Sequence, residues 1–280
     1  MRPILFYLGH IPIRAYGFML WVALMIGLAR TLRAARKTDI DSGSVVDIAF
    51  YSLVSGLVFA HLVSLLLDLP IYMHSPGLLL DTWRGILSPS GGLRGLSFHG
   101  GLFGAVLAAY VYCRRHGLKF MEVIDLFSPG LALGYVFARI GCFLNGCCYG
   151  VPTDVPWAVR FHLDPVSGLM TPPSHPVQLY SAAASLGIFF LLVMVERKRR
   201  YTGQVFFSYL AMYSVYRFLI EFLRKGVTAQ VLFDGITEGQ VASIVICAAA
   251  LYLMHVYGRS RNRDVVESPA AEKTGIGGAT

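Results

Sequence analysis

Long runs of apolar residues dominate the pattern of this chain. Seven runs can be delimited, near residues 16–32, 45–69, 98–113, 123–140, 180–195, 205–223 and 241–256. A helix that rises about 1.5 Å per residue needs roughly 17 to 25 apolar residues to cross about 30 Å of hydrocarbon, and the runs are near that length. The pattern therefore predicts an all-α fold, a polytopic transmembrane bundle of about seven spans.

Basic residues are grouped on one side of these spans. The groups follow the first, third, fifth and seventh runs and comprise Arg30, Arg33, Arg36 and Lys37, then Arg114, Arg115 and Lys119, then Arg197, Lys198, Arg199 and Arg200, then Arg259, Arg261 and Arg263. Since cytoplasmic loops are enriched in Lys and Arg, this predicts an N-terminus outside and a C-terminus inside. The first run has its charges after it, unlike a signal peptide, and is expected to be a retained helix.

The spacing of the runs predicts a single transmembrane domain over residues 1–263. Two outside loops are expected at about 71–96 and 146–177, where several prolines and glycines exclude a continuous helix. The last residues, 264–280, are rich in small residues and are expected to form a disordered cytoplasmic tail.

Composition agrees with a membrane protein. The chain is 55% hydrophobic and 14% charged, with a mean hydropathy of +0.59. Its net charge of +8 resides mostly in the short loops named above, where it serves orientation against anionic lipid. We therefore expect membrane lipid, and no nucleic acid, among its partners.

Polar side chains inside apolar spans are costly and usually face an internal cavity. Arg139 ends the fourth run. In the sixth run Tyr213, Arg217, Glu221 and Arg224 follow at helical spacings that predict one polar stripe. The alternatives are a headgroup anchor for Arg139 and an intrahelical pair between Arg217 and Glu221 that only neutralises charge.

Two further residues lie near the outer ends of spans. His99 begins the third run between Phe98 and the two glycines that follow it, and Tyr16 begins the first run. The alternatives are a structural role for His99 near the interface and a headgroup anchor for Tyr16.

Three cysteines, Cys142, Cys147 and Cys148, stand close together in the sequence. They lack the paired C-x-x-C spacing of structural zinc sites, and adjacent cysteines seldom bridge each other, so no metal is expected here. A disulfide from Cys142 to either of the other two stays open.

Several motifs in order resemble phosphatidylglycerol–prolipoprotein diacylglyceryl transferases over nearly the whole chain. The motifs are Gly-Leu-Ser-Phe-His-Gly-Gly-Leu at 95–102, Asp-Leu-Phe-Ser-Pro-Gly-Leu-Ala-Leu-Gly at 125–134, Ala-Arg-Ile-Gly-Cys-Phe-Leu-Asn-Gly at 138–146, His-Pro-Val-Gln-Leu-Tyr at 175–180, Tyr-Arg-Phe-Leu-Ile-Glu-Phe-Leu-Arg at 216–224 and Thr-Glu-Gly-Gln at 237–240. The family is a seven-helix bacterial inner-membrane enzyme, which agrees with the topology predicted from charge.

The resemblance implies a set of site residues. It assigns binding or catalysis to Tyr16, His99, Arg139, Asn145, Gly150, Tyr213, Arg217 and Glu221. The chain departs from the family at Cys142 and Cys147, where Asn and Glu are common, and at His61, where Arg is usual.

The reaction implied by the resemblance moves a diacylglyceryl group from phosphatidylglycerol to the lipobox cysteine thiol of a prolipoprotein. A thiol needs a base, for which His99 is available, and the phosphate leaving group needs fixed cations, for which Arg139 and Arg217 are suited. Glu221 is expected to orient Arg217. No cofactor is expected. The alternatives are a small lipid or solute transporter, which would also use buried Arg and Glu, and a divergent paralogue with altered activity.

Overall fold

The computed structural model describes residues 3–74, 77, 96–162, 168–224, 231–233 and 236–273. Within these ranges the chain forms eight helices: α1 (Ala15–Ala35), α2 (Ser42–Leu67), α3 (Leu69–His74), α4 (Phe98–Arg115), α5 (Phe120–Asn145), α6 (Val177–Arg197), α7 (Gln204–Glu221) and α8 (Glu238–Lys273). Each of the seven predicted apolar runs corresponds to one of the longer helices, although the second and sixth runs extend two residues beyond the ends of α2 and α7. Most of the outer loop expected at 71–96, and residues 274–280 of the expected tail, lie outside the described residues.

Five of the described helices are long and apolar enough to cross a membrane. They are Ala15–Ala35, Ser42–Leu67, Phe120–Asn145, Val177–Arg197 and Glu238–Arg259. The other two long helices, α4 and α7, contain 18 residues each and include charged side chains. Large apolar residues such as Phe50 on α2 and Tyr252 on α8 are exposed, at 59% and 67%, as in helices that face lipid.

The structure also contains two short antiparallel hairpins. The hydrophobic pattern did not predict these hairpins. The strands β1 (Ile4–Leu8) and β2 (Ile11–Arg14) pair just before α1. The strands β3 (Val231–Phe233) and β4 (Ile236–Thr237) pair just before α8. These segments are shorter than any apolar run that a hydropathy pattern can resolve.

The chain divides into two compact units. The first unit contains residues 1–3, 16–27 and 124–280, and the second contains 4–15 and 28–123. In the second unit α2 packs against α4 through small residues. A Cβ atom at Gly100 would lie 2.5 Å from the Phe59 carbonyl oxygen, and one at Gly104 would lie 2.6 Å from that of Ser55. Only glycine permits this approach of two backbones.

Similar close packing brings α1 onto α5 within the first unit. A Cβ atom at Gly27 would lie 2.9 Å from the Gly130 carbonyl oxygen, and one at Gly134 would lie 3.1 Å from that of Ala23. The core of this unit is apolar and contains Ala132, Ile188, Leu192 and Val205, with Tyr209 and Tyr216 packed against it. The Ser185 hydroxyl on α6 donates to the Ala132 carbonyl at 2.8 Å, which ties α6 to α5.

Asp125 on α5 fixes the start of α7. Its carboxylate is 1% exposed and accepts hydrogen bonds from the backbone N–H groups of Gly203 at 2.7 Å and Phe206 at 2.8 Å. Arg199 donates to it at 3.4 Å. Gly203, the N-cap residue of α7, has no side chain that could accept from the N–H groups of the first turn. The Asp125 carboxylate, from another helix, takes this role.

Candidate functional site

A polar stripe runs along α7. Tyr213, Arg217 and Glu221 follow each other at intervals of four residues within the helix, as predicted. The Arg217 guanidinium donates to the Glu221 carboxylate, which is buried. The expectation for Arg224 was wrong. The helix ends at Glu221, and Arg224 lies beyond it in an isolated antiparallel bridge with Gly150.

The N-terminus of α8 lies against this ion pair. Thr237 and Gln240 form a capping box, in which the Thr237 N–H donates to Gln240 Oε1 at 3.0 Å and the Gln240 N–H donates to Thr237 Oγ1 at 3.3 Å. Between them, a Cβ atom at Gly239 would lie 2.9 Å from Arg217 Nη2 and 3.0 Å from Glu221 Oε1. The Thr-Glu-Gly-Gln motif thus caps the helix and leaves room for the pair.

Arg139 on α5 is held by an aromatic neighbour. Its guanidinium donates from Nη2 to the Tyr135 hydroxyl, one turn earlier, and its carbon Cζ lies 4.7 Å from the centroid of the Tyr135 ring. The Tyr135 ring in turn meets the Tyr213 ring edge to face, with centroids 5.7 Å apart. Tyr135 therefore connects the Arg139 side chain on α5 with the stripe on α7.

Two buried polar atoms in this cluster have unused hydrogen-bonding capacity. Arg139 Nε and Glu221 Oε1 have no hydrogen-bond partner among the residues that the structure describes. A buried N–H without a partner costs roughly 1–3 kcal/mol, so such an atom indicates a place for a ligand. The free Nε–H of Arg139 suits an acceptor such as a phosphate or carboxylate oxygen.

Tyr16 lies in the first turn of α1 and packs on the C-terminal part of α5. A Cβ atom at Gly141 would lie 3.5 Å from both Cα and Cδ2 of Tyr16. Tyr16 is 40% exposed, so its ring is accessible beside the part of α5 that carries Arg139. Gly141 follows Arg139 by two residues and gives Tyr16 this position.

Asn145 ends α5 at a helix C-terminal turn of the Schellman type. The Gly146 N–H donates to the Phe143 carbonyl at 3.1 Å, and the Cys147 N–H donates to the Cys142 carbonyl at 3.2 Å. Gly146 has φ of +77°, the left-handed conformation that this turn requires. Asn145 is exposed at the end of the helix.

Gly150 acts through its backbone. A Cβ atom there would lie 2.4 Å from the Leu223 carbonyl oxygen, and the Gly150 N–H donates to the His175 carbonyl at 2.9 Å. Gly150 therefore joins the loop after α5 to the end of α7, and no larger residue fits. This packing accounts for the glycine without any contact to a substrate.

The fold brings together the three cysteines at the end of α5 and in the loop that follows it. The sulfur atoms of Cys142, Cys147 and Cys148 all lie within 4.8 Å of one another, although Cys142 is five residues from Cys147. Hydrogen bonds from the Cys142 and Cys147 thiols lower the pKa of the Cys148 thiol, and the charges of Arg139 and Arg224 lower it further. The three thiols therefore form one group at the C-terminal end of α5.

His99 belongs to the second unit, whereas the other expected site residues belong to the first. It lies in the first turn of α4 with its side chain exposed. Ser97 is the N-cap of this helix, and its hydroxyl accepts from the Gly100 N–H at 3.4 Å. The serine of this motif thus has a structural role, and the histidine beside it is left accessible.

Sequence reasoning gave no site role to Tyr135, Gly239 or Gln178, although the last two lie in motifs that it noted. Tyr135 precedes Arg139 by four residues, a spacing that places both on one helix face. Gly239 follows the Thr of a capping-box pattern, which is also visible in the sequence. Gln178 is fully buried and donates from Nε2 to the Cys147 carbonyl at 2.7 Å, a contact across 31 residues that local patterns do not reveal.

The apolar helices and the half-buried side chains of Arg139 and Arg217 define a multi-pass membrane protein with a site suited to an anionic group. The chain belongs to the prolipoprotein diacylglyceryl transferase family, which it matches over residues 3–256.

Individual relatives carry a fuller name. The chain is similar to the phosphatidylglycerol–prolipoprotein diacylglyceryl transferases of Geobacter sulfurreducens (35% identity, 80% of this chain and 82% of the relative) and Nitratidesulfovibrio vulgaris (34%, 91% and 94%). It is similar to that of Finegoldia magna at 29% identity, over 92% of this chain and 96% of the relative.

The comparisons confirm the resemblance found in the motifs and the transferase class that it implied. They do not favour the transporter alternative.

Proposed function

We propose that this transferase moves the diacylglyceryl group of phosphatidylglycerol to the lipobox cysteine thiol of prolipoproteins, releasing glycerol 1-phosphate. The names of its relatives support phosphatidylglycerol as the donor and prolipoproteins as the acceptors. The new C–S bond is a thioether. As it forms, the C–O bond to phosphate breaks, and its electron pair leaves with the phosphate oxygen. This is the first step of lipoprotein maturation.

The thiol must lose its proton before it can attack. A free cysteine thiol has a pKa of about 8.5, so a base or a positive field is needed near neutral pH. His99 is the proposed base, because it is exposed at the start of α4 and an imidazole nitrogen can act as a general base. The reaction needs no cofactor and no metal in this scheme.

The leaving phosphate gains negative charge, which fixed donors must meet. The observation that carries the proposal is the buried Nε of Arg139, which has no partner within the described part of the chain. With Nη2 committed to Tyr135, the Nε–H group is left to bind a phosphate oxygen. Arg217, oriented by Glu221, supplies the second cation.

The remaining site residues are proposed to shape the binding site for the lipid headgroup. Tyr213 touches Tyr135 and continues the stripe toward Arg217, while Tyr16 lies at the outer end of α5. Asn145 is exposed where that helix ends. Gly150 contributes by holding the loop against the end of α7.

We further propose seven spans in the bacterial inner membrane, with the N-terminus outside. The five apolar helices and the two shorter ones, α4 and α7, supply this number, and the basic groups then all face the cytoplasm. Arg139 and Glu221, near the ends of α5 and α7, then lie toward the outer leaflet.

The test is direct transfer by the purified protein. It is incubated with phosphatidylglycerol and a lipobox peptide, and the peptide is analysed by mass spectrometry for a diacylglyceryl adduct. A peptide with Ser in place of the lipobox Cys is the matched control and should stay unmodified. Absence of the adduct with the cysteine peptide, in folded protein, would overturn the proposal.

A further inference from the structure

The C-terminal turn of α5 explains why the three cysteines meet. In a Schellman turn, the third residue from the helix end and the second residue after the helix face each other. Here these two positions are Cys142 and Cys147, and the turn is closed by the two backbone hydrogen bonds described above. The contact that is usually apolar is therefore made by two thiols.

Cys148 completes the group through an unusual backbone conformation. It is the one non-glycine residue with positive φ, at +62°, in the part of the chain that the structure describes. That conformation is costly for a residue with a Cβ atom, and it turns the Cys148 side chain back toward the other two. Gln178 holds the same turn by donating to the Cys147 carbonyl.

We propose that Cys142, Cys147 and Cys148 bind a thiophilic metal ion of the Zn²⁺ type through three thiolates. Sulfur ligands about 2.3 Å from a tetrahedral Zn²⁺ lie about 3.8 Å apart, so sulfurs already within 4.8 Å need only small side-chain rotations. A disulfide requires about 2 Å and would leave one of the three thiols unpaired. The mutual proximity of all three thiols therefore favours a metal site over a single disulfide bond.

Charge at the site also suits a metal complex. Three thiolates and Zn²⁺ leave one net negative charge, and the guanidinium groups of Arg139 and Arg224 act on this cluster. Each thiol loses its proton on binding, and no oxidation is involved. Because Cys148 is exposed, an external fourth ligand can complete the coordination. The bound ion would clamp the loop after α5 to the helix end.

The experiment measures metal binding by the whole, reduced protein. Zn²⁺ is titrated into protein without chelator, and Cd²⁺ serves as an optical probe because thiolate-to-cadmium charge transfer absorbs in the ultraviolet. We expect one ion per chain, a charge-transfer band, and a rise in Tm with Zn²⁺. Cys148→Ser should weaken Zn²⁺ binding roughly 100-fold or more, since changes in outer-shell groups alone cost 10-fold to 100-fold.

Two variants separate the site from general effects of mutation. Cys247→Ser, in α8, removes a thiol outside the cluster and should bind Zn²⁺ as the unmodified chain does. Gly146→Ala keeps all three thiols but strains the turn that aligns them, and should weaken binding. Binding that is absent, or that Cys148→Ser leaves intact, would overturn the proposal. So would a Cys142 disulfide to Cys147 or Cys148 in protein purified without reductant.

Discussion

Replacing Arg139 or Arg217 with lysine keeps the positive charge and removes the planar guanidinium group, so it separates the effects of charge and geometry on the transfer rate. Arg139 uses two nitrogens in two directions, Nη2 toward the Tyr135 hydroxyl and Nε toward the space proposed for phosphate. Lysine has one nitrogen and cannot serve both. A hydrogen bond to a charged group contributes about 1.5–3 kcal/mol, and loss of the aligned donor adds to this. We expect about 2–4 kcal/mol for each variant, which corresponds to roughly 30-fold to 1000-fold in rate.

The assay is diacylglyceryl transfer at saturating phosphatidylglycerol, with membrane insertion checked separately for each variant. Arg160→Lys is the matched control, because Arg160 is exposed in the loop after α5, and its transfer rate should not change. An arginine that only anchors a helix in headgroups would tolerate lysine, since both side chains extend to the interface. Near-normal turnover in both Arg139→Lys and Arg217→Lys would refute the phosphate-binding role.

Three further predictions test the surroundings of the site and the topology. Gly239→Ala should lower the transfer rate about 10-fold by crowding the Arg217–Glu221 pair, whereas Gly187→Ala, which meets open space, should not; equal rates would contradict this. Asp125→Asn should cost about 2–3 kcal/mol of unfolding free energy, measured in detergent against the exposed control Asp154→Asn, because one of its acceptor oxygens becomes a donor; a change below about 0.5 kcal/mol would exclude the capping role. A reporter that functions only in the cytoplasm should be active when it is fused after Arg263, and one that functions only outside the membrane should be inactive. Activity of the second kind of reporter would contradict the predicted orientation.

The apolar pattern was sufficient to locate the seven long helices, because each is continuous and long compared with the uncertainty at its ends. It could not place the end of α7, where the polar spacing continues to Arg224 although the helix stops at Glu221. The chain leaves the helix there to pair with Gly150, a contact made across more than 70 residues. Tertiary pairing of that kind has no signature in local periodicity.

The candidate site was recognisable in part. The intervals of four between Tyr213, Arg217 and Glu221 follow from helical geometry, so the stripe could be predicted. The connection from Arg139 to this stripe depends on Tyr135, whose aromatic contact with Tyr213 is set by the packing of two helices. The number of residues between Cys142 and Cys147 matches no zinc motif, so this spacing provided no reason to expect a metal there. The turn at the C-terminus of α5 nevertheless brings these residues together.

The close contact between α1 and α5 restricts how a lipid can reach the arginines. At Gly27 and Gly134 the two backbones are separated by less than the thickness of a side chain, so a methylene chain has no room to pass between them. This face of the first unit is therefore closed to acyl chains. A two-tailed donor must therefore reach the arginines by another side of the unit. A larger side chain at position 27 would separate α1 from α5 and give acyl chains a second route.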